Sequence, residues 1–276
     1  MKGRPYLAFK NILDMHVHTD NSFDGNHSAM FMCEAAEKAG LRSVTFTDHC
    51  EVDFYKERNF DQSDFHSYFE VSKARSAFTG KLLVNTGIEL GQPTYDKPTA
   101  EYIMKRFNYD QVIGSIHNLR DMPDFCELKY DNYDIYKLLD EYFDEELELA
   151  EWGKFDTLAH LTYPLRYMVG DQGYEVDLNK FSDKIDSILK AVIKNGKALE
   201  INTSGYRQKI GRTMPDVDIV KRYKELGGEL ITLGSDSHFA EHVGAGIDRG
   251  MQLALDCGFN AIALFQQREP VLIPIE

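Results

Sequence analysis

The sequence contains few cysteines, and their spacing argues against a thiolate-based site. Only four occur among 276 residues, and none of them belongs to a Cys-x-x-Cys pair. Closely spaced cysteine pairs are the usual signature of structural zinc sites and of redox motifs. We therefore expect reduced, buried, structural cysteines, as in a cytoplasmic protein. The four are Cys33, Cys50, Cys126 and Cys257.

Long hydrophobic runs are absent as well. No stretch approaches the ~20 apolar residues that a transmembrane helix needs. The first 13 residues, MKGRPYLAFKNIL, lack the sustained apolar segment of a targeting signal. No internal repeat, low-complexity tract or Gly/Ser-rich linker divides the chain. These absences predict a single domain over residues 1–276, located in the cytoplasm and without a membrane partner.

Basic residues are scarce relative to acidic ones. The chain has 31 lysines and arginines against 45 aspartates and glutamates, which gives a net charge of −14 at pH 7. Such an acidic surplus argues against an extended positively charged surface that would bind nucleic acid. It does not exclude an anionic small molecule as substrate, because bound divalent cations would reverse the local potential. The sequence leaves the oligomeric state open.

The chain does contain short apolar runs that alternate with segments of helical periodicity. Helical spacing is found in residues 134–152, 181–192 and 219–226, and in Ala29–Ala39 between Ser28 as N-cap and Gly40. This alternation predicts a parallel sheet, and about seven units predict an α/β barrel that is closed or nearly closed. The predicted strands are Ile12–His18, Val44–Thr47, Leu82–Leu90, Gln111–His117, Thr157–Leu161, Ala198–Asn202 and Leu230–Asp236.

Two longer segments between these elements are predicted to be loops. They are residues 91–107 and 118–132, and both follow the carboxyl end of a predicted strand. Functional sites of such barrels lie at the carboxyl ends of the strands. We therefore expect these segments to form part of the wall of a pocket or a lid over it.

Histidines and carboxylates collect at the ends of the predicted strands. His16 and His18 are two residues apart, as are Asp236 and His238, so each pair is expected to project from one face of a strand. Six of the nine histidines occupy such positions, which indicates a multinuclear metal site. Imidazole and carboxylate ligands without thiolate permit zinc, iron(II) or manganese. The strand-end residues are His16, His18, His49, Glu89, His117, His160, Asp236 and His238.

The strand-end residues belong to six short motifs that follow one another along the chain. The motifs are His16-Val17-His18-Thr19, Thr47-Asp48-His49, Gly87-Ile88-Glu89, Gly114-Ser115-Ile116-His117, Ala159-His160-Leu161 and Gly234-Ser235-Asp236-Ser237-His238. Their order resembles a known family, the polymerase-and-histidinol-phosphatase (PHP) superfamily. The resemblance extends from about His16 to about the end of the chain and implies a distorted (β/α)7 TIM-like barrel. Residues 159–167 and 258–268 most resemble the branch of monofunctional histidinol-phosphate phosphatases.

The resemblance also implies the ligands of two or three divalent ions. Asp24 is the ligand that departs most from the family pattern, because some relatives have a histidine at this position. Asp20 lies nearby and is the alternative carboxylate. An Asp-Gly pair is also an ordinary turn. The implied sets are His16, His18, Glu89 and Asp236 for the first metal, Glu89, His117 and His160 for the second, and Asp24, His49 and His238 for the third.

The activity implied by the resemblance is hydrolysis of L-histidinol phosphate to L-histidinol and phosphate, a step of histidine biosynthesis. A metal-bridging hydroxide would attack the phosphorus atom, because paired metals activate water and stabilise both the attacking and the leaving oxygen. Glu89 and Asp236 would act in catalysis as metal ligands. No serine or cysteine nucleophile is required.

Substrate contacts are predicted from position and charge. Arg166 suits phosphate oxygens, and a surface ion pair is its alternative role. His242 could protonate the leaving alkoxide or contact phosphate, or it could be a solvated loop residue. Arg207 is a further candidate for substrate binding. Asp48 and Asn118 are predicted to orient the neighbouring ligands. Asp121 and Glu127 are candidates to meet the substrate's amine.

Three other functions compete with this interpretation. Another PHP-type phosphoesterase would act on small phosphodiesters or nucleotides. An amidohydrolase-type barrel also begins with His-x-His, but that class commonly has a modified bridging lysine, and no lysine follows the corresponding strands here. A non-catalytic metal- or phosphate-binding module should have lost ligands, whereas every expected position is filled.

Overall fold

The computed structural model describes residues 9–276, and most of the first 13 residues, where no targeting signal is predicted, lie outside this range. All seven predicted strands are present, and they run parallel in the order β1-β2-β4-β5-β6-β7-β8, with the short β3 paired to β4. The strands are β1 Leu13–Val17, β2 Ser43–Phe46, β3 His49–Glu51, β4 Leu83–Gly91, β5 Gln111–Ser115, β6 Thr157–Leu158, β7 Ala198–Asn202, β8 Ile231–Gly234, β9 Ala261–Gln266 and β10 Glu269–Pro274.

The sheet curls into a nearly closed barrel in which β8 returns to β1. The Asp236 amide donates to the His16 carbonyl at 2.8 Å, and the His18 amide donates to the Ser237 carbonyl at 2.9 Å. The buried Asp14 carboxylate accepts from both the amide and the hydroxyl of Ser235, at 2.8 and 2.5 Å. The predicted α/β barrel is therefore confirmed. The Asp14 side chain helps to hold its seam, the junction between β1 and β8.

Seven α-helices accompany the strands in residues 9–276. The helix predicted over Ala29–Ala39 has those bounds, because the Ser28 hydroxyl accepts from the Phe31 amide and Gly40 ends the helix in a left-handed conformation at φ 80°. The helices are α1 Ala29–Ala39, α2 Phe60–Ala77, α3 Lys97–Met104, α4 Ile135–Trp152, α5 Ser182–Lys194, α6 Val217–Glu225 and α7 Ile247–Asp256.

Three helices, α2, α3 and α7, were absent from the sequence prediction. The expected loop 91–107 contains α3, which begins after Asp96, whose carboxylate accepts from the Thr99 amide at 3.1 Å. The 18-residue α2 escaped prediction because its buried face includes the polar residues Asp64 and Ser67. An apolar periodicity cannot reveal a helix whose inward face is partly polar.

The antiparallel hairpin β9–β10 was also not predicted. Its turn reaches the loop before β6, where Arg268 forms an ion pair with buried Asp156 and donates to the Lys154 carbonyl at 2.7 Å. The Arg268 amide also donates to the Asp110 carbonyl, just before β5, at 2.9 Å. The hairpin therefore lies at the amino-terminal end of the barrel, opposite the predicted site.

The cysteine prediction was correct for three of the four residues. Cys33, Cys50 and Cys257 are buried and free, but Cys126 is exposed, because it lies on a short 3-10 turn in the loop after β5. Among the helices of residues 9–276, none combines the length and the apolar character needed to cross a membrane. The cytoplasmic location remains a prediction.

A buried carboxylic acid in α4 predicts a specific pH dependence of stability. Burial raises the pKa of Glu146 to about 8, although its bond from the Tyr142 hydroxyl, at 2.6 Å, lowers it. The folded chain therefore keeps a proton that the unfolded chain loses between about pH 4.5 and 8. Within this window Glu146 makes the free energy of unfolding fall as pH rises, by up to about 1.4 kcal/mol per pH unit.

Urea unfolding of the wild type and of Glu146→Gln at several pH values between 5 and 8 measures this contribution. The difference in stability between the two chains should move in favour of the Gln variant as pH rises. A difference that stays constant over this range would show that Glu146 is ionised in the folded protein.

Candidate metal centre

The structure brings the predicted strand-end residues together at the carboxyl end of the barrel. His16 and His18 project from the end of β1, and their Nε2 atoms lie 3.0 Å apart. Asp236 follows β8, and its Oδ1 is 3.5 Å from His18 Nε2 and 3.6 Å from His238 Nδ1. All these side chains except His238 are buried.

The predicted carboxyl end of the last barrel strand was wrong. The strand expected to continue through Asp236 ends at Gly234, and Asp236 has a φ of 52°, in the left-handed region. Asp236 and His238 are therefore not neighbours on one face of an extended strand. They approach each other because the backbone turns towards β1 after Gly234.

Glu89, at the end of β4, lies at the centre of the cluster. It is buried, and its two carboxylate oxygens face five imidazoles from four other segments of the chain. This arrangement fits a carboxylate that bridges two ions. The distances are 3.4 Å to His16 Nε2, 3.6 Å to His18 Nε2, 2.9 Å to His49 Nδ1, 3.2 Å to His117 Nε2 and 3.0 Å to His160 Nε2.

The donor atoms of this cluster fit divalent cations. Glu89 Oε2, His49 Nδ1 and His238 Nε2 are buried, and among residues 9–276 they have close carboxylate–imidazole contacts but none with the geometry of a hydrogen bond. Leaving such atoms unsatisfied is costly, and a coordinated cation would satisfy them. Four triads have ligand atoms within 4.8 Å of one another: His18–His49–His238, His16–His18–Asp236, His16–Glu89–His160 and His49–Glu89–His117.

Asp24 lies at the outer edge of the cluster. Its carboxylate is 3.1 Å from His238 Nε2 and 3.8 Å from His49 Nε2, although 44% of its side chain is exposed. Burial raises the pKa of Asp24, but the close contact with His238 and the charge of His49 outweigh this effect and hold the pKa below its usual range. The alternative residue, Asp20, is exposed. The geometry therefore favours Asp24 as the third acidic ligand.

The central carboxylates are held in their ionised form. Burial raises the pKa of Glu89, but the charge of His49 and of the other imidazoles holds it well below its ordinary value. Burial also raises the pKa of Asp236, but the charge of the Arg166 guanidinium outweighs this effect and holds the pKa well below its ordinary value. Both carboxylates can therefore bind cations at neutral pH.

Several residues support the cluster, and the sequence prediction found only some of them. The Asp48 carboxylate accepts from the Ser22 hydroxyl at 2.9 Å, and Ser22 Oγ is 3.1 Å from His18 Nδ1. Asn118 bonds to Gln92, whose side chain accepts from the His117 amide. Two buried glutamates that contact the imidazoles, Glu51 and Glu200, were missed. Their only sequence signal is a charged residue within a buried strand.

Of the residues predicted to contact the substrate, Arg166 and Arg207 bond to Asp236, whereas His242 is partly exposed. Arg166 begins a π-helical turn and donates to Asp236 Oδ2 at 2.7 Å and to Ser204 Oγ at 2.8 Å. Arg207 donates to the Asp236 carbonyl at 2.6 Å. Arg166 is therefore not the surface ion pair that was its alternative role. The imidazole of His242 is 38% exposed and lies 3.8 Å from Glu241.

A small cavity of about 100 Å³ opens over the cluster. Apart from the cluster itself, its lining includes Arg166, Tyr163, Asp124 and the exposed Cys126. Asp121 and Glu127, predicted to meet the substrate's amine, line a neighbouring cavity instead. The carboxylate of the loop after β5 that reaches the site cavity is Asp124.

A parallel α/β barrel with imidazoles and carboxylates at one mouth is the architecture of a metal-dependent hydrolase. Residues 14–204 match the family model described as PHP domain. The chain therefore belongs to the PHP family, and the resemblance noted from its motifs is confirmed.

Curated relatives extend over nearly the whole chain. A probable histidinol-phosphatase of Clostridium acetobutylicum is 31% identical over 261 residues, which are 93% of this chain and 98% of the relative. One of Thermotoga maritima is 31% identical over 92% of this chain and 95% of the relative. Histidinol phosphate phosphatase from Lactococcus lactis, solved with zinc, L-histidinol and phosphate, has the same fold. It gives a TM-score of 0.79 at 24% identity, over 95% of this chain and 99% of that one.

Proposed function

We propose that this chain acts as a single domain that hydrolyses L-histidinol phosphate to L-histidinol and phosphate with the help of divalent metal ions. The observation that carries the proposal is the position of Arg166, which faces the same small cavity as the carboxylate–imidazole cluster around Glu89. The histidinol-phosphatase relatives, similar over more than nine-tenths of the chain, support the choice of substrate.

Two or three divalent ions would be held by the nine predicted ligands, with Glu89 between two of them. The histidine-rich donor set suits zinc, iron(II) or manganese, and zinc is the ion found in the Lactococcus lactis enzyme of the same fold. Bound ions of this kind lower the pKa of water and stabilise charge that develops on phosphoryl oxygens.

The arginines would bind the phosphate. Arg166 Nε and Arg207 Nη1 are buried and have no hydrogen-bond partner among the residues from Phe9 onwards. A guanidinium with an unused buried donor is suited to an anion, and phosphate oxygens accept such charge-assisted bonds well. Asp236, which accepts from Arg166, would hold this guanidinium at the mouth of the cavity.

The organic part of the substrate would lie towards the loop after β5. Asp124 lines the cavity there and accepts a bond from the Tyr163 hydroxyl at 3.1 Å. A carboxylate in this position is suited to the cationic amine of histidinol, so Asp124 takes the part first predicted for Asp121 and Glu127. The role of His242 as proton donor to the leaving oxygen stays a prediction.

A substrate panel on protein of known metal content tests the proposal. L-histidinol phosphate should be cleaved faster than a phosphate monoester without the amine, and much faster than any diester. A diester places a second organic group where free phosphate oxygens would meet Arg166. Faster cleavage of nucleotide diesters than of histidinol phosphate would overturn the proposal in favour of another phosphoesterase.

Replacing Arg166 by alanine should weaken catalysis without emptying the metal site. Loss of a charge-assisted contact to phosphate costs about 1.5–3 kcal/mol, or about 10–100-fold in kcat/KM. Steady-state kinetics and metal analysis of Arg166→Ala measure both effects. Arg222→Ala is the matched control, because Arg222 also pairs with an aspartate, Asp186, but on the surface. Unchanged kcat/KM would limit Arg166 to its ion pair with Asp236.

A further inference from the structure

Two buried glutamates outside the predicted ligand set lie directly behind the imidazoles. Glu51, in β3, places Oε1 3.1 Å from His117 Nδ1 and 3.2 Å from His49 Nδ1. Glu200, in β7, places Oε1 2.7 Å from His16 Nδ1. For His16 and His117, the carboxylate therefore contacts the nitrogen that faces away from Glu89, whereas Glu51 and Glu89 share the same Nδ1 at His49.

Each glutamate occupies space left by a glycine of the neighbouring strand. A Cβ atom added to Gly91, in β4, would lie 1.8 Å from Glu51 Oε2. One added to Gly234, in β8, would lie 2.2 Å from Glu200 Oε1. Any other residue at either glycine would displace the carboxylate. The same combination of glutamate and facing glycine thus occurs twice, on different strands.

The contacts determine which nitrogen of each imidazole faces the cluster. An imidazole that donates its Nδ1 hydrogen to a carboxylate keeps the Nε2 lone pair available for a metal. His16 Nε2 and His117 Nε2 are the atoms that face Glu89, at 3.4 and 3.2 Å. The carboxylates at their rear therefore hold both rings in the orientation and tautomer that a metal requires.

We propose that Glu51 and Glu200 are positioning residues that raise the affinity of this site for divalent metal ions. Glu51 serves the triad His49–Glu89–His117, because it contacts two of its imidazoles. Glu200 serves the two triads that contain His16, and its Oε2 also accepts from the His160 amide at 2.8 Å. The proposal rests on the metal site of the proposed function.

Glutamine at either position should disturb the contacts while preserving the shape. The Glu200 carboxylate accepts on both oxygens, so the amide of a glutamine would face a donor on one side. Glu51 likewise uses both oxygens, since its Oε2 is 3.3 Å from His117 Nδ1. Glu146 is the matched control: it is equally buried, but only its Oε1 has a hydrogen-bond partner among the described residues, the Tyr142 hydroxyl.

The experiment measures zinc affinity of full-length Glu51→Gln, Glu200→Gln and Glu146→Gln by competition with a chelator. We expect each of the first two variants to lose about 10–100-fold in affinity for at least one ion, and Glu146→Gln to lose none. At saturating zinc, Glu51→Gln and Glu200→Gln should recover much of kcat with little change in KM, because neither residue contacts the substrate.

A second measurement separates positioning from folding. The rise in melting temperature produced by zinc should be smaller in Glu51→Gln and Glu200→Gln than in the wild type, whatever the melting temperature without zinc. Wild-type zinc affinity in both variants would overturn the proposal. If the wild type binds zinc but does not hydrolyse histidinol phosphate, the proposed function fails while the zinc affinities still decide the role of the two glutamates.

Discussion

Glu89→Gln is expected to lose more than about 100-fold in kcat, the largest effect of any single substitution considered. Five imidazoles face this carboxylate, and it belongs to two of the four potential metal triads. An amide carries no charge and offers one acceptor oxygen, so the substitution weakens two ions together. Even outer contacts of metal ligands are worth about 10–100-fold in metal affinity. Metal content per chain and steady-state hydrolysis measure the loss.

The result has to be separated from misfolding, because Glu89 is buried. Circular dichroism should be unchanged, and the chain should still unfold cooperatively. Excess metal should restore little activity, in contrast to Glu51→Gln and Glu200→Gln. Full metal content with undiminished turnover would exclude Glu89 from the centre of the site.

Exhaustive chelation should abolish hydrolysis and lower the melting temperature, and divalent ions should restore both. The buried atoms Glu89 Oε2 and His238 Nε2 make no contact with hydrogen-bond geometry among residues 9–276, so bound ions would supply interactions that the folded chain lacks. A ligand at 100 times its Kd stabilises the folded state by about 2.7 kcal/mol. Activity after re-addition of each ion, measured with its melting curve, also identifies the preferred metal. Full activity in the chelated protein would contradict a metal-dependent mechanism.

The strands and the cluster of histidines and carboxylates at their ends could be predicted because each follows from local sequence. An apolar run that ends in a polar residue marks both a buried strand and its carboxyl end, as at Glu89 and His117. Parallel strands bring those ends to one edge of the sheet. Helix α1 was predicted to the residue because Ser28 and Gly40 carry both of its end signals.

Other features depend on tertiary contacts that the sequence does not display. The inward side of α2 carries Asp64, which is buried because Arg106 and Tyr109 bond to its carboxylate. Glu51 and Glu200 reach the imidazoles because neighbouring strands place a glycine beside each of them. No pattern within a single segment encodes a pairing between two strands.

The seam between β1 and β8 has a consequence for how the site arises during folding. Asp14 and Ser235, which join across this seam, are separated by 221 positions in the chain. The first histidines and Asp236 are therefore brought together by contacts of very high sequence separation. Such contacts form late, because loop closure is entropically unfavourable. Complete metal capture would consequently report the end of folding, and amino-terminal fragments that stop before Ser235 should bind metal poorly.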